Sequence, residues 1–167
     1  MSTTELKIRY YGDPCLTQAS RCVVAVTASE RILIQSMLQT MYAHKGIGLA
    51  APQVGINKKI FVADIGEGPV VVVNPHILNV EGAWKMEEGC LSIPGVSVEI
   101  ERPKKIIVEY TDENNKLVKC EMDEMMARVF LHENDHLEGK LILDYLSDED
   151  REKAIQAFTK AIEEEKA

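Results

Sequence analysis

Apolar residues recur at helical spacing in three stretches of the chain. Ile34, Met37, Leu38 and Met41 share one face, which predicts a helix over residues 28–44 opened by a capping box at Thr27-Ala-Ser-Glu30. It runs into a glycine-rich turn, Gly46-Ile-Gly48. The period then changes to short β-rich runs at 60–65, 70–73, 77–80, 105–111 and 116–122. Turn signals separate them at 66–69, Asn74-Pro75, Arg102-Pro103 and Asn114-Asn115, a spacing that suits antiparallel meanders rather than βαβ units. A second helix is predicted from an N-cap at Asp123 to about Leu137, stopped by Gly139. A third follows the N-cap Ser147 and carries Ile155, Phe158 and Ile162 on one face. Its last turn, Glu163-Glu-Glu-Lys, sets acidic groups at the negative end of the helix dipole, so the tail is expected to fray. The class that follows is α+β, with antiparallel β-sheets packed around the central helix and one helix on each side of it in sequence.

Composition narrows the picture without redirecting it. The 167 residues contain no linker, repeat or low-complexity tract, so one domain spanning 1–167 is expected. Nineteen Lys and Arg against 27 Asp and Glu leave a net charge of −8, which disfavours direct nucleic-acid binding. The apolar runs are far shorter than the roughly 20 residues that cross a bilayer, and the first residues resemble no leader. An intracellular, cytoplasmic protein with no membrane association is expected. Cys15, Cys22, Cys90 and Cys120 form no CxxC pair, so in a reducing compartment each is a free thiol or a metal ligand, and for any one of them a small buried hydrophobe is the default reading.

The pentapeptide His132-Glu133-Asn134-Asp135-His136 changes the picture. On the second helix, residues four apart share a face, so the two imidazoles can hold one metal ion while Glu133 reaches a water bound to it. Met125, Val129, His132 and His136 then make one stripe, apolar above and metal-binding below. A hydrolytic site of this kind uses three protein ligands and leaves a position open. Downstream, Glu138, Glu149 and Glu152 offer a third ligand, as in HExxH peptidases. Upstream, Glu88-Gly-Cys90-Leu-Ser92 offers a thiolate in a tight turn. A closed structural site with Cys120 as a fourth ligand is a further alternative. The segment Gly46-Ile-Gly-Leu-Ala-Ala-Pro-Gln53 packs small residues closely and ends on an amide donor, yet it lacks the Lys and Ser/Thr of a phosphate loop.

These three segments, in this order, resemble the motifs GxGxAAxQ, EGCxS and HExDH of the peptide deformylase family. The likeness extends through Tyr11-Gly-Asp-Pro14, Asn74-Pro75, Arg102-Pro103 and the stretch 136–147, and so covers nearly the whole chain. It departs at Leu131, where the family usually has Gln, and at Asn114-Asn115, where Asp-Gly is common. The resemblance implies a metal-dependent amidohydrolase that removes the formyl group from the N-terminal formylmethionine of new polypeptides and releases formate. It implies Cys90, His132 and His136 as ligands of one Fe2+, for which Zn2+, Ni2+ or Co2+ can substitute. It also implies a metal-bound water as nucleophile, Glu133 as general acid/base, Gln53 and the Leu91 backbone N–H as oxyanion donors, and Gly48 as a backbone partner of the substrate. Ile47, Met125 and Val129 are chosen as the methionine pocket. The partners implied are N-formylmethionyl peptides, nascent chains and, transiently, the ribosome, although the acidic third helix offers no basic face for RNA.

Overall fold

The computed structural model describes residues 4–166, so the ends of the 1–167 range lie outside the described residues. Among the described residues three helices, α1 (Ala28–Ala43), α2 (Glu124–Leu137) and α3 (Asp148–Lys166), accompany seven strands. The strands are β1 (Gly48–Ala50), β2 (Ile60–Ala63), β3 (Val70–Glu81), β4 (Trp84–Glu88), β5 (Val98–Arg102), β6 (Lys105–Thr111) and β7 (Leu117–Asp123). They form a five-stranded antiparallel sheet in the order β1-β2-β3-β6-β7 and a two-stranded sheet of β4 and β5. The expected α+β class is therefore observed.

The alternation of side chains across the pleat explains the layering. Leu49, Ile60, Val62, Val71 and Val73 point to one face of the large sheet, where Ile34, Met37 and Met41 of α1 cover them. Ala50, Phe61, Val72, Ile106, Val108 and Tyr110 point to the other, where Ala127, Phe130, Leu131 and Leu137 of α2 pack. Both faces of β2 are covered, which is why it reads as an unbroken apolar run. A third cluster joins Ile93, Val98, Ile100 and Leu141 to Ile155 and Phe158 of α3, while Ile162 is half-buried. Among the described residues no helix is long and apolar enough to cross a membrane.

Several expectations are corrected. The runs at 70–73 and 77–80 belong to one strand, because Asn74 (φ 52°) and Pro75 make an irregularity in β3 rather than a turn, and β6 pairs on beyond it. Asn115 is also left-handed, at φ 62°. Both side chains serve as strand mimics: the Asn74 amide accepts from Val23 N (2.8 Å) and donates to Val23 O (2.7 Å), and that of Asn115 does the same for Val26 N (2.7 Å) and Val26 O (3.0 Å). Asn combines tolerance of that backbone with the two bonding groups required. Strands β1, β4 and β5 add to those the sequence predicts. Asp123 occupies the N-cap of α2 but makes no side-chain capping bond. Ser147 does cap α3, accepting from Asp150 N at 3.2 Å, and α3 stays helical to Lys166 instead of fraying. All four cysteines are free, and Cys22 is exposed rather than buried.

The start of α1 carries a testable contribution. Glu30 accepts from the Thr27 hydroxyl and from Thr27 N (2.9 Å), and meets Lys58 Nζ at 3.0 Å. The Thr27 hydroxyl first, then its N–H and Lys58, bring the Glu30 carboxyl down from 4.5 to about 2. A carboxyl whose folded pKa is depressed stabilises above its unfolded value and loses that contribution as pH falls through the folded one. Glu30→Gln is expected to cost about 1 kcal/mol at pH 7, with the gap from wild type closing between pH 4.5 and about 2. Urea unfolding at several pH values measures it, and an unchanged gap at acid pH contradicts the assignment.

Candidate metal centre

The HExxH segment lies on α2, as its spacing requires, with His132 and His136 on the face turned away from the large sheet. Cys90 stands in the turn after β4, closed by Ile93 N donating to Cys90 O at 3.0 Å. Cys90 Sγ and one nitrogen from each imidazole all lie within 4.8 Å of one another, and Sγ is 3.4 Å from His136 Nε2. Among the described residues this is the group of side chains suited to a metal ion. The alternatives lie elsewhere. Glu138 faces Lys59 (3.6 Å) and Glu149 faces Lys153 (3.7 Å), while Glu152 is exposed. Cys120 packs against the cluster under α2, where burial raises its pKa.

One buried carboxylate organises the cluster. Glu88 Oε1 accepts from His132 Nδ1 (2.8 Å) and Arg102 Nη2 (2.9 Å). Its Oε2 accepts from Arg102 Nε (2.6 Å) and from Arg128 Nη1. Burial opposes ionisation, yet the His132 and Arg102 bonds and the Arg102 charge outweigh it and hold the Glu88 carboxyl down, to about 2. An ionised Glu88 makes His132 Nδ1 the protonated nitrogen, which turns the Nε2 lone pair toward Cys90 and His136. Arg102 continues outward to Asp135 (3.0 Å) and to the Tyr145 hydroxyl (3.3 Å), which itself donates to Asp135 at 2.6 Å. Arg128 also donates to Ile100 O (3.0 Å) and Trp84 O (2.7 Å), tying α2 to both strands of the small sheet.

The electrostatics fit a cation. Burial favours a neutral His132, but Glu133, Cys90 and Glu88 raise its pKa well above the ordinary value, so the cluster calls for positive charge there. Burial, His132 and Arg102 lower His136, which keeps it unprotonated as a ligand must be. Burial also pushes the Glu133 carboxyl up to about 7, near the value suited to proton transfer at neutral pH. Its Oε2 lies 3.9 Å from His132 Nε2, and its Oε1 is buried without a partner.

A groove of about 540 Å3 opens over this cluster. Ile47, Gly48, Gln53, Cys90, Leu91, Met125, Val129, His132 and Glu133 all line it, so nine of the ten residues singled out in the sequence meet at one surface, with His136 buried just behind. Gly48 shares the α2 face of β1 with Ala50, and a Cβ there would collide with the Glu133 carboxylate. The Gln53 carboxamide accepts from Ala50 N (3.0 Å) and donates to Ser92 Oγ (3.1 Å) and toward Cys90 Sγ (3.5 Å). Among the described residues, the Leu91 backbone N–H makes no hydrogen bond. Sequence reasoning missed the parts of Arg102, Arg128, Asp135 and Tyr145. Arg128 had a readable signal, standing four residues before His132 on the same helix face, whereas Arg102 looked like a turn residue before Pro103.

Paired imidazoles and a thiol beside a buried carboxylate, set at and just beneath an open groove, define a metal-dependent hydrolase on an α+β frame. Residues 5–152 match the sequence profile of the polypeptide deformylase family. The chain is 46% identical over 142 residues to a peptide deformylase of Thermotoga maritima, covering 84% of this chain and 87% of that one. It is 41% identical over 164 residues to one of Hydrogenovibrio crunogenus, covering 96% and 97%. The crystal structure of peptide deformylase from Ehrlichia chaffeensis superposes with a TM-score of 0.93 at 35% identity, covering 98% of this chain and 100% of that one. The chain belongs to the polypeptide deformylase family, whose members take the N-terminal formyl group from newly made polypeptides.

Proposed function

We propose that this chain, acting as one catalytic unit over 1–167, hydrolyses the formyl amide of N-formylmethionyl peptides with Cys90, His132 and His136 holding a single Fe2+. The soft thiolate and two imidazoles suit Fe2+, Zn2+, Ni2+ or Co2+ alike, so the resident ion is set by availability. When bound, the metal supplies Lewis acidity and lowers the pKa of a water. Glu133 takes the proton that water gives up and hands it to the departing amine. The observation that carries this role is its burial beside the imidazole pair with a pKa of about 7. Gln53 Nε2 and the unpaired Leu91 N–H donate to the oxygen on which negative charge develops. Gly48, with no side chain between its backbone and the groove, pairs with the substrate main chain. The chain works in the cytoplasm on peptides leaving the ribosome, and any transient ribosome contact would use a surface other than the acidic part of α3.

The test is formate release from formyl-Met-Ala under anaerobic conditions, with metal analysis of the same sample. A sample that binds metal through Cys90 yet releases no formate refutes the proposal in favour of a binding protein. Ile47, Met125 and Val129 are assigned to the methionine pocket. Val129→Trp is expected to lower the preference for formyl-Met over formyl-Ala peptides by about tenfold in kcat/KM, and an unchanged ratio removes Val129 from the pocket.

A further inference from the structure

Ser92 closes the EGCxS segment, is fully buried and touches no part of the groove surface. We propose that Ser92 is a positioning residue that fixes which N–H of Gln53 faces the reacting carbonyl. This rests on the reading of Gln53 as an oxyanion donor.

A carboxamide ends in a broad torsion between tetrahedral and planar atoms, so its plane turns freely unless its polar atoms are held. The Ala50 N–H, at 3.0 Å from Oε1, decides which end of the Gln53 amide is oxygen. One fixed point still permits rotation about it. Ser92 Oγ supplies the second by accepting one Nε2 hydrogen at 3.1 Å. The other Nε2 hydrogen is thereby directed toward Cys90 Sγ, 3.5 Å away, on the side where the groove meets the imidazole pair. Tyr11 N donates to Ser92 O at 2.9 Å and anchors the serine from behind. A hydroxyl is the group that suits this place: it accepts a hydrogen bond, adds no charge beside the thiol and fits a fully enclosed position.

The test compares Ser92→Ala, Gln53→Ala and the double variant in formate release, with metal content and thermal midpoint measured on each. Ser92→Ala is expected to lower kcat about tenfold, with KM within about twofold and metal content unchanged, because only donor alignment in the transition state is lost. Gln53→Ala, which removes the donor, is expected to lose on the order of 100- to 1,000-fold. The double variant should be no slower than Gln53→Ala alone, since Ser92 acts only through that amide. Ser92→Thr, which restores an oxygen acceptor, should recover most of the loss; if its extra methyl prevents folding, the alanine variants decide. Losses that simply multiply in the double variant, or wild-type kcat in Ser92→Ala, overturn the role of Ser92. Wild-type kcat in Gln53→Ala overturns it at a different point, by removing the oxyanion reading beneath it.

Discussion

Glu133→Gln is expected to lower kcat for formate release by on the order of 100- to 10,000-fold while the metal stays bound. Glutamine keeps the size of the side chain and its place against Gly48, but it neither takes up nor gives back a proton. The carboxyl it replaces is buried and has its pKa pushed up to about 7, so at neutral pH it is poised for both acts. Metal content must be measured on the same preparation, because Glu133 lies next to His132 in sequence and a loss of ligand would imitate a loss of base. A variant with intact metal that keeps kcat within about tenfold would show that the proton travels by another route.

Glu88→Ala is expected to destabilise the folded chain by roughly 3–5 kcal/mol. Four hydrogen bonds end on this one carboxylate, and Arg102 and Arg128 around it are only 4% and 2% exposed. Alanine removes the carboxylate that offsets two buried guanidinium charges, leaving Arg102 only Asp135 and the Tyr145 hydroxyl and Arg128 only the main-chain carbonyls of Ile100 and Trp84, and that lost charge pairing is the larger part of the cost. His132 loses the bond that sets its ring at the same time, so metal affinity should fall about 10- to 100-fold in whatever fraction remains folded. Urea unfolding reads the first effect and chelator competition the second. A loss below about 1 kcal/mol would mean that the contacts the two arginines already make, Arg102 with Asp135 and Arg128 with two main-chain carbonyls, suffice without Glu88.

The helices and the chemistry on them were legible because their signals are local. The capping box at Thr27 and Glu30, the four-residue step from His132 to His136 and the stop at Gly139 each lie within a turn or two of what they control. The groove residues were legible for another reason, since Gly46, Gln53 and Cys90 belong to motifs already known to occur together. What stayed hidden depends on distant partners. β4 and β5 alternate as strands do, but their charged positions look like solvent-facing loop until Glu88 is seen to pair with Arg102 and Arg128. β1 has only three residues, which by themselves read as a turn. The sequence divides β3 at Asn74-Pro75, because that dipeptide usually ends a strand, and only the edge of β6 shows that pairing resumes beyond it.

Cys90 follows the small sheet, while His132 and His136 ride on the helix packed against the large one. In the unfolded chain these donors are scattered and form no receptor for an ion, so a cation gathered by all three would hold the two layers together as a clasp does. Part of its binding free energy would then go into cohesion of the whole molecule. Uptake of the ion would be a rehearsal of correct assembly: a chain folded around a metal at Cys90, His132 and His136 would already have brought the groove, Glu133 and the Gln53 amide into place.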